Sequence, residues 1–112
     1  MMTEKQNQTN GEIVPTQLII KRAVEVICGK WRLSIIHLLR NETLRYGEIK
    51  RLIPGISEKV LVHELKQLVE LGMLEKKSYG EIPPRVEYTL TEKGRTVVPV
   101  IDLLEEVGQA FL

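Results

Sequence analysis

Between Pro54 and Arg95 the spacing of apolar positions changes once, from three-and-four to two, and the change divides the segment into a helix and a hairpin. Leu61, Leu65 and Leu68, with Gly72 next in the series, recur at helical spacing and leave Lys59, His63, Lys66, Gln67 and Glu70 on the opposite side. Ser57 follows Pro54-Gly55 and can cap this helix through its hydroxyl, while Glu58 suits the positive end of the helix dipole. The helix is therefore expected to begin at Ser57 or Glu58, and Gly72 to stop it. The chain then alternates from Met73 to Tyr79, turns across Gly80-Glu81-Ile82-Pro83-Pro84 and alternates again from Arg85 to Leu90. In the second run Val86, Tyr88 and Leu90 share one face and Arg85, Glu87 and Thr89 the other, which predicts a two-stranded hairpin with one buried face.

Upstream, Met1 to about Gly11 is polar, and residues 1–15 are expected to form a flexible arm ahead of a single domain over residues 16–112. From about Thr16 the pattern is helical, with Ile20, Ala23, Val24 and Ile27 on one side, until Gly29 interrupts it. A second helix is predicted from Trp31, with Trp31, Ile35, Leu38 and Leu39 inside and Lys30, Arg32 and Arg40 outside. Asn41 to Leu44 reads as a short loop. A brief helix over Arg45 to Ile53, with Ile49, Leu52 and Ile53 inward, ends at Pro54. Two short helices meeting at a Pro-Gly turn make a helix-turn-helix, and the hairpin after the second helix makes it winged. Beyond the hairpin, Thr91 can cap a last helix with Glu92 in its first turn, kinked at Pro99 and striped by Val97, Val100, Ile101, Leu104, Val107 and Phe111. The fold class expected is α+β, mainly α: a winged helix-turn-helix with extra N- and C-terminal helices.

Those terminal helices bring apolar surface beyond what the core from Trp31 to Leu90 needs. A surplus apolar face on a helix pairs with another helix or another chain. The expectation is a two-fold homodimer held by Ile20, Val24, Ile27, Val100, Ile101, Leu104, Val107 and Phe111; a last helix folded back on its own domain is the alternative.

Composition adds little by itself. At 112 residues, 43% hydrophobic and 28% charged, the chain suits one soluble domain. The apolar runs are far too short for a membrane span and the polar N-terminus lacks a signal-peptide core, so no membrane association and a cytoplasmic location are expected. One cysteine, Cys28, excludes an intrachain disulfide and leaves open a bridge between two copies. The net charge of +1 argues weakly for a nucleic-acid partner, but its distribution argues more strongly: −1 over residues 1–20, +5 over 21–95 and −3 over 96–112.

The candidate chemistry is recognition of double-stranded DNA. Lys59 and Lys66 can reach base edges or phosphates; Ser57 offers a hydroxyl, Val62 an apolar contact for a thymine methyl and His63 a donor or acceptor. Arg45 and Tyr46 would clamp the backbone, and Lys76, Lys77 and Arg85 of the wing would reach flanking phosphates. For each, a solvated surface is the plain alternative, and a charged hairpin edge also deters aggregation without any DNA. Trp31 and Tyr88 suit the core. His37 and His63 lie on different helices, no phosphate-binding glycine loop occurs and the carboxylates are scattered, so neither an enzyme, a metal site nor a cofactor is expected.

The strings CGKW at 28–31, PGIS at 54–57, PPRVEYTLTEKGR at 83–95 and PVID at 99–102 carry a family resemblance. Over roughly Lys21 to Gly108 the chain resembles the HxlR-type winged-helix transcriptional regulators of bacteria and archaea, relatives of the MarR type. The resemblance implies a dimeric DNA-binding regulator with residues 57–71 as recognition helix and 73–90 as wing. Three departures stand out. Leu18 and Ile19 occupy the positions where many members similar to this chain carry a Cys-Pro pair, which argues against a thiol switch there. Cys28 replaces the first Gly of the family's Gly-Gly-Lys-Trp, at the end of an apolar stripe where a thiol acts as a small buried hydrophobe. Glu64 also stands where members often have a basic residue, and removes a phosphate contact.

The mechanism expected is a dimer that sets two recognition helices in successive major grooves roughly 34 Å apart on a near-palindromic operator, repressing or activating nearby genes. A winged-helix protein-interaction module without sequence-specific DNA binding is the rival. An unidentified small-molecule effector, held between the terminal helices and the core, would modify DNA binding and not replace it.

Overall fold

The computed structural model describes residues 13–112 and, by backbone alone, Gln8–Thr9 and Glu12. The rest of the expected arm lies outside the described residues. Within it, β1 (Gln8–Thr9) and β2 (Glu12–Ile13) form a small antiparallel ladder, with Gln8 opposite Ile13. The elements that follow are α1 (Thr16–Ile27), α2 (Arg32–Leu38), β3 (Leu44–Arg45), α3 (Tyr46–Leu52), α4 (Glu58–Glu70), β4 (Leu74–Tyr79), β5 (Arg85–Leu90), α5 (Glu92–Arg95) and α6 (Val98–Gln109).

The ends of α4 follow from local chemistry. Ser57 Oγ accepts the Val60 N–H at 3.1 Å and so satisfies one of the free donors of the first turn. At the other end Gly72 takes φ +79°, its N–H reaching Val69 O and the Met73 N–H reaching Leu68 O, both at 2.9 Å. This paired ending needs a left-handed residue, which glycine adopts without strain. Between the caps, Leu61, Leu65 and Leu68 are fully buried against Ile35, Ile36, Leu39 and Ile49. Each such side chain contributes about 1.5–3 kcal/mol by leaving water, and together they fix the seat of α4.

Four expectations are corrected. The region read as a loop, Asn41 to Leu44, ends in a strand: Leu44 pairs with Tyr88 and Arg45 with Glu87, so the hairpin is part of a three-stranded antiparallel sheet of order β3-β5-β4. Two residues are too few to carry an alternation, and their partner is over forty positions away. Leu52 was expected inward but is 53% exposed, while Ile53 is buried. Arg32 does not stay outside; its side chain is only 16% exposed and meets Glu64 of α4 at 2.6 Å. Finally, the last helix is not one kinked rod. A proline ring at 99 would strike the carbonyl four residues back and could not donate to it. The chain therefore closes α5 at Arg95, breaks at Thr96 and Val97, and restarts with Pro99 in the first turn of α6, where no donor is missed. Val97, at the break, is buried in the domain's own core.

Thr91 ties this junction to the root of the hairpin. Its hydroxyl donates to Gly72 O at 2.7 Å and accepts the Gly94 N–H at 3.0 Å, and its own N–H donates to Met73 O at 3.1 Å. Gly94 sits so close that a Cβ there would lie 2.3 Å from Met73 O and 2.6 Å from Leu90 Cδ1. Just past the end of α2, Arg40 grips α6 through a two-pronged pair with Asp102, at 2.9 and 3.2 Å.

Candidate nucleic-acid interface

About 100° of rotation per residue puts Lys59, Val62, His63 and Lys66 on the side of α4 opposite Leu61, Leu65 and Leu68. All four are exposed, Val62 by 52%. Ser57 is exposed at the start of the same helix, with its hydroxyl already engaged as the cap. No polar residue of α4 is fully buried; Glu64, part-buried on its flank, turns toward Arg32 and away from the outward face. The family departure at this position thus has a use inside the protein.

The other candidate residues divide. Arg45 is exposed, its backbone N–H donating to Glu48 Oε1 at 2.8 Å and its guanidinium 3.9 Å from Glu87. Tyr46 is half-buried against the core and its hydroxyl is enclosed without a hydrogen-bond partner. Burial, and next the charge of Glu58, holds that phenol above its ordinary range, so it stays a neutral donor. Lys76 and Lys77 are exposed, but alternation sends them to opposite faces: Lys76 lies across from Tyr88, on the side that meets the core, and Lys77 across from Glu87. Arg85 is drawn inward. It lies 4.0 Å over the Tyr79 ring, 3.1 Å from Glu81 and 3.9 Å from Glu87, and Tyr79 donates its hydroxyl to Glu87 at 3.0 Å. These contacts stiffen the wing tip. Tyr79, Glu81 and Glu87 were not picked out from the sequence, although the hairpin register that pairs Tyr79 with Arg85 could have found the first of them.

The residues expected to dimerise also divide. Ile20, Val24, Leu104, Val107 and Phe111 are exposed, Phe111 by 83%, and Val100 is at the border at 39%. Ile27 and Ile101 instead lean on the domain's own core. Leu18, Ile19 and Leu103 widen the apolar surface of α1 and α6. Cys28 caps α1 and is half-buried, less enclosed than its place in the sequence suggests. A cavity of about 610 Å³ opens between α2, the end of α3 and α6, where Trp31, Leu38, Pro54 and Leu104 meet Ser34, His37 and Glu105. Among the described residues no cluster of metal-ligating side chains occurs and no helix is long and apolar enough to cross a membrane.

Two short helices joined by a Pro-Gly turn, an outward cationic face on the second and a three-stranded sheet ending in a β-hairpin define a winged helix-turn-helix protein. Residues 26–112 match the model of the HxlR-like helix-turn-helix family, and the chain belongs to that family. It is 41% identical over 92 residues to an HTH-type transcriptional regulator of Methanothermobacter thermautotrophicus, covering 82% of this chain and 70% of the relative. Among solved structures it is similar to one described as a MarR-family transcriptional regulator from Porphyromonas gingivalis W83, at TM-score 0.82 and 44% identity, covering 90% of this chain and 99% of that one. It is also similar to the redox regulator HypR in its oxidized form, at TM-score 0.77 and 32% identity, covering 82% and 95%.

Proposed function

We propose that this DNA-binding transcriptional regulator works as a two-fold dimer on a near-palindromic operator, as a binding protein without catalytic activity. The observation that carries the reading is the outward side of α4, where Lys59, Val62, His63 and Lys66 lie exposed on a helix whose other side is locked into the core. A rigidly seated helix presents its side chains to base edges without a further cost for ordering its backbone. Lys76, Lys77 and Arg45 supply phosphate contacts beside it, and Ser57 offers the backbone amides of a capped helix start. Arg85 contributes by stiffening the wing. Ile20, Val24, Val100, Leu104, Val107 and Phe111 form the contact between protomers, with Ile27 and Ile101 supporting them from below.

The test is a footprint of the pure protein on DNA from its own promoter region. Protected half-sites about one helical turn apart support the reading; no protection at any site favours the protein-interaction module. Replacing Lys59 and Lys66 together with Glu abolishes protection while light scattering still reports a dimer.

A second reading concerns control. The 610 Å³ cavity has the size of a small-molecule site, and it joins the helix-turn-helix turn at Pro54 to α6 at Leu104. A small-molecule effector seated there changes the spacing of the recognition helices. Operator release by a compound that also raises the melting temperature supports this reading.

A further inference from the structure

We infer that Arg32 is a positioning residue, which fixes the recognition helix α4 relative to α1 and so sets the distance between the two recognition helices of a dimer. The inference rests on the dimeric, operator-binding reading above. Arg32 stands in the first turn of α2 and reaches two other helices at once. Its Nε donates to Glu64 Oε1 at 2.6 Å, and its Nη1 donates to Val26 O at 2.8 Å. Only 16% of the Arg32 side chain and 19% of the Glu64 side chain are exposed.

Each end of this bridge has a physical reason. Val26 lies in the last turn of α1, where carbonyls lack a partner further along the helix and where the dipole favours a cation. α1 has no fully buried residue and no basic side chain in its own last turn. A polar tie from α2 is therefore a main restraint on its direction, together with the leaning of Val26 and Ile27 on the core. Glu64 lies one turn from the outward residues of α4, on the flank that faces back toward α2, so it needs a cation from the body of the protein. Only a planar guanidinium can donate along two directions in fixed geometry; a lysine ammonium on a flexible stem cannot hold both.

In a dimer built on α1 and α6, the path from one protomer to the other starts at α1. The path to DNA ends at α4. Arg32 joins those ends directly, so loosening it leaves each domain folded while letting α4 swing relative to the dimer axis. If only about a tenth of molecules then hold the competent spacing, operator affinity falls about tenfold.

Glu64→Ala separates this role from a plain electrostatic one by sign. Removing a carboxylate near DNA by itself tightens binding and raises affinity for every sequence. Loss of positioning weakens binding to the native operator and erases its advantage over operators whose half-site spacing is changed by one base pair. Arg32→Lys, which keeps the charge and loses the fork, is expected to do the same with the dimer intact. Glu64→Ala guards against a poorly folded Arg32 variant, since alanine is a good helix former at that position.

The measurement is fluorescence anisotropy on the footprinted operator and its two spacing variants, with light scattering and thermal melts on the same samples. The expected result is about a tenfold loss on the native operator, a flattened spacing preference and an unchanged dimer. Tighter binding by Glu64→Ala, or a spacing preference equal to wild type in that variant, overturns the inference alone. A wild type that protects no DNA overturns the parent reading, and this inference with it.

Discussion

Lys66→Gln gives the most direct test of whether α4 meets DNA, because it removes one charge from the outward face and leaves the buried side untouched. The five exposed cations of the candidate interface, Lys59, Lys66, Lys76, Lys77 and Arg45, give ten in a dimer. If all of them neutralise phosphates, the logarithm of the binding constant falls with the logarithm of salt at a slope of about −9, since each contact contributes roughly −0.9. Lys66→Gln removes two of the ten, one from each protomer, and lowers the slope by about 1.8. Between 50 and 200 mM salt, a fourfold change, the affinity penalty then shrinks by about twelvefold. The assay is fluorescence anisotropy on the operator at five or more salt concentrations, with Lys21→Gln on the exposed side of α1 as control. A Lys66→Gln slope equal to wild type, or a larger change in the control, refutes the placement of α4 against the duplex.

Further outcomes follow from the same contacts. Gly94→Ala is expected to destabilise the domain by about 1–3 kcal/mol, because a carbonyl oxygen 2.3 Å from the new methyl cannot move as a side chain can. The gain of about 1 kcal/mol in helix propensity does not offset this clash, so a thermal melt no lower than wild type contradicts it. Ser57→Ala removes the cap bond to Val60 and is expected to cost about 1 kcal/mol, read by urea denaturation with an unchanged slope. The hydrogen bond and charge of Arg40 hold the Asp102 carboxyl below its ordinary range. A depressed folded pKa means that the stabilisation is complete above the ordinary carboxylate range and is lost as pH falls below that range through the depressed folded value; Asp102→Asn should therefore flatten the melting temperature against pH at the acidic end. Leu104→Glu with Val107→Glu is expected to yield monomers by light scattering, with the far-ultraviolet helix signal kept.

Features that local chemistry decides are legible in the chain. The Ser57 cap, the Gly72 stop and the strand from Arg85 to Leu90 each depend on neighbours within a few positions, and each lies where spacing predicts. Features that need a distant partner are not. Leu44 and Arg45 become a strand because Tyr88 and Glu87 offer a ladder. Arg32 turns inward because Glu64 and Val26 O await it, and Leu52 turns outward because Ile53 takes the place in the core. On the candidate interface, the outward residues of α4 are readable from period alone. The inward turn of Arg85 is not, since it depends on Tyr79 across the hairpin and on Glu81 in the turn.

The fastening of Thr91 and Gly94 to Gly72 and Met73, with β3 laddered to Glu87 and Tyr88, makes the hairpin a cantilever held over its lower half and free at its end. Six residues per strand at about 3.3 Å each give a hairpin roughly 20 Å long, of which only the part beyond Glu87 extends past the pairing with β3. Changes at Gly80 to Pro84 can therefore lengthen or shorten the arm without disturbing how α4 is seated. The length of the hairpin's end is thereby uncoupled from the seat of α4.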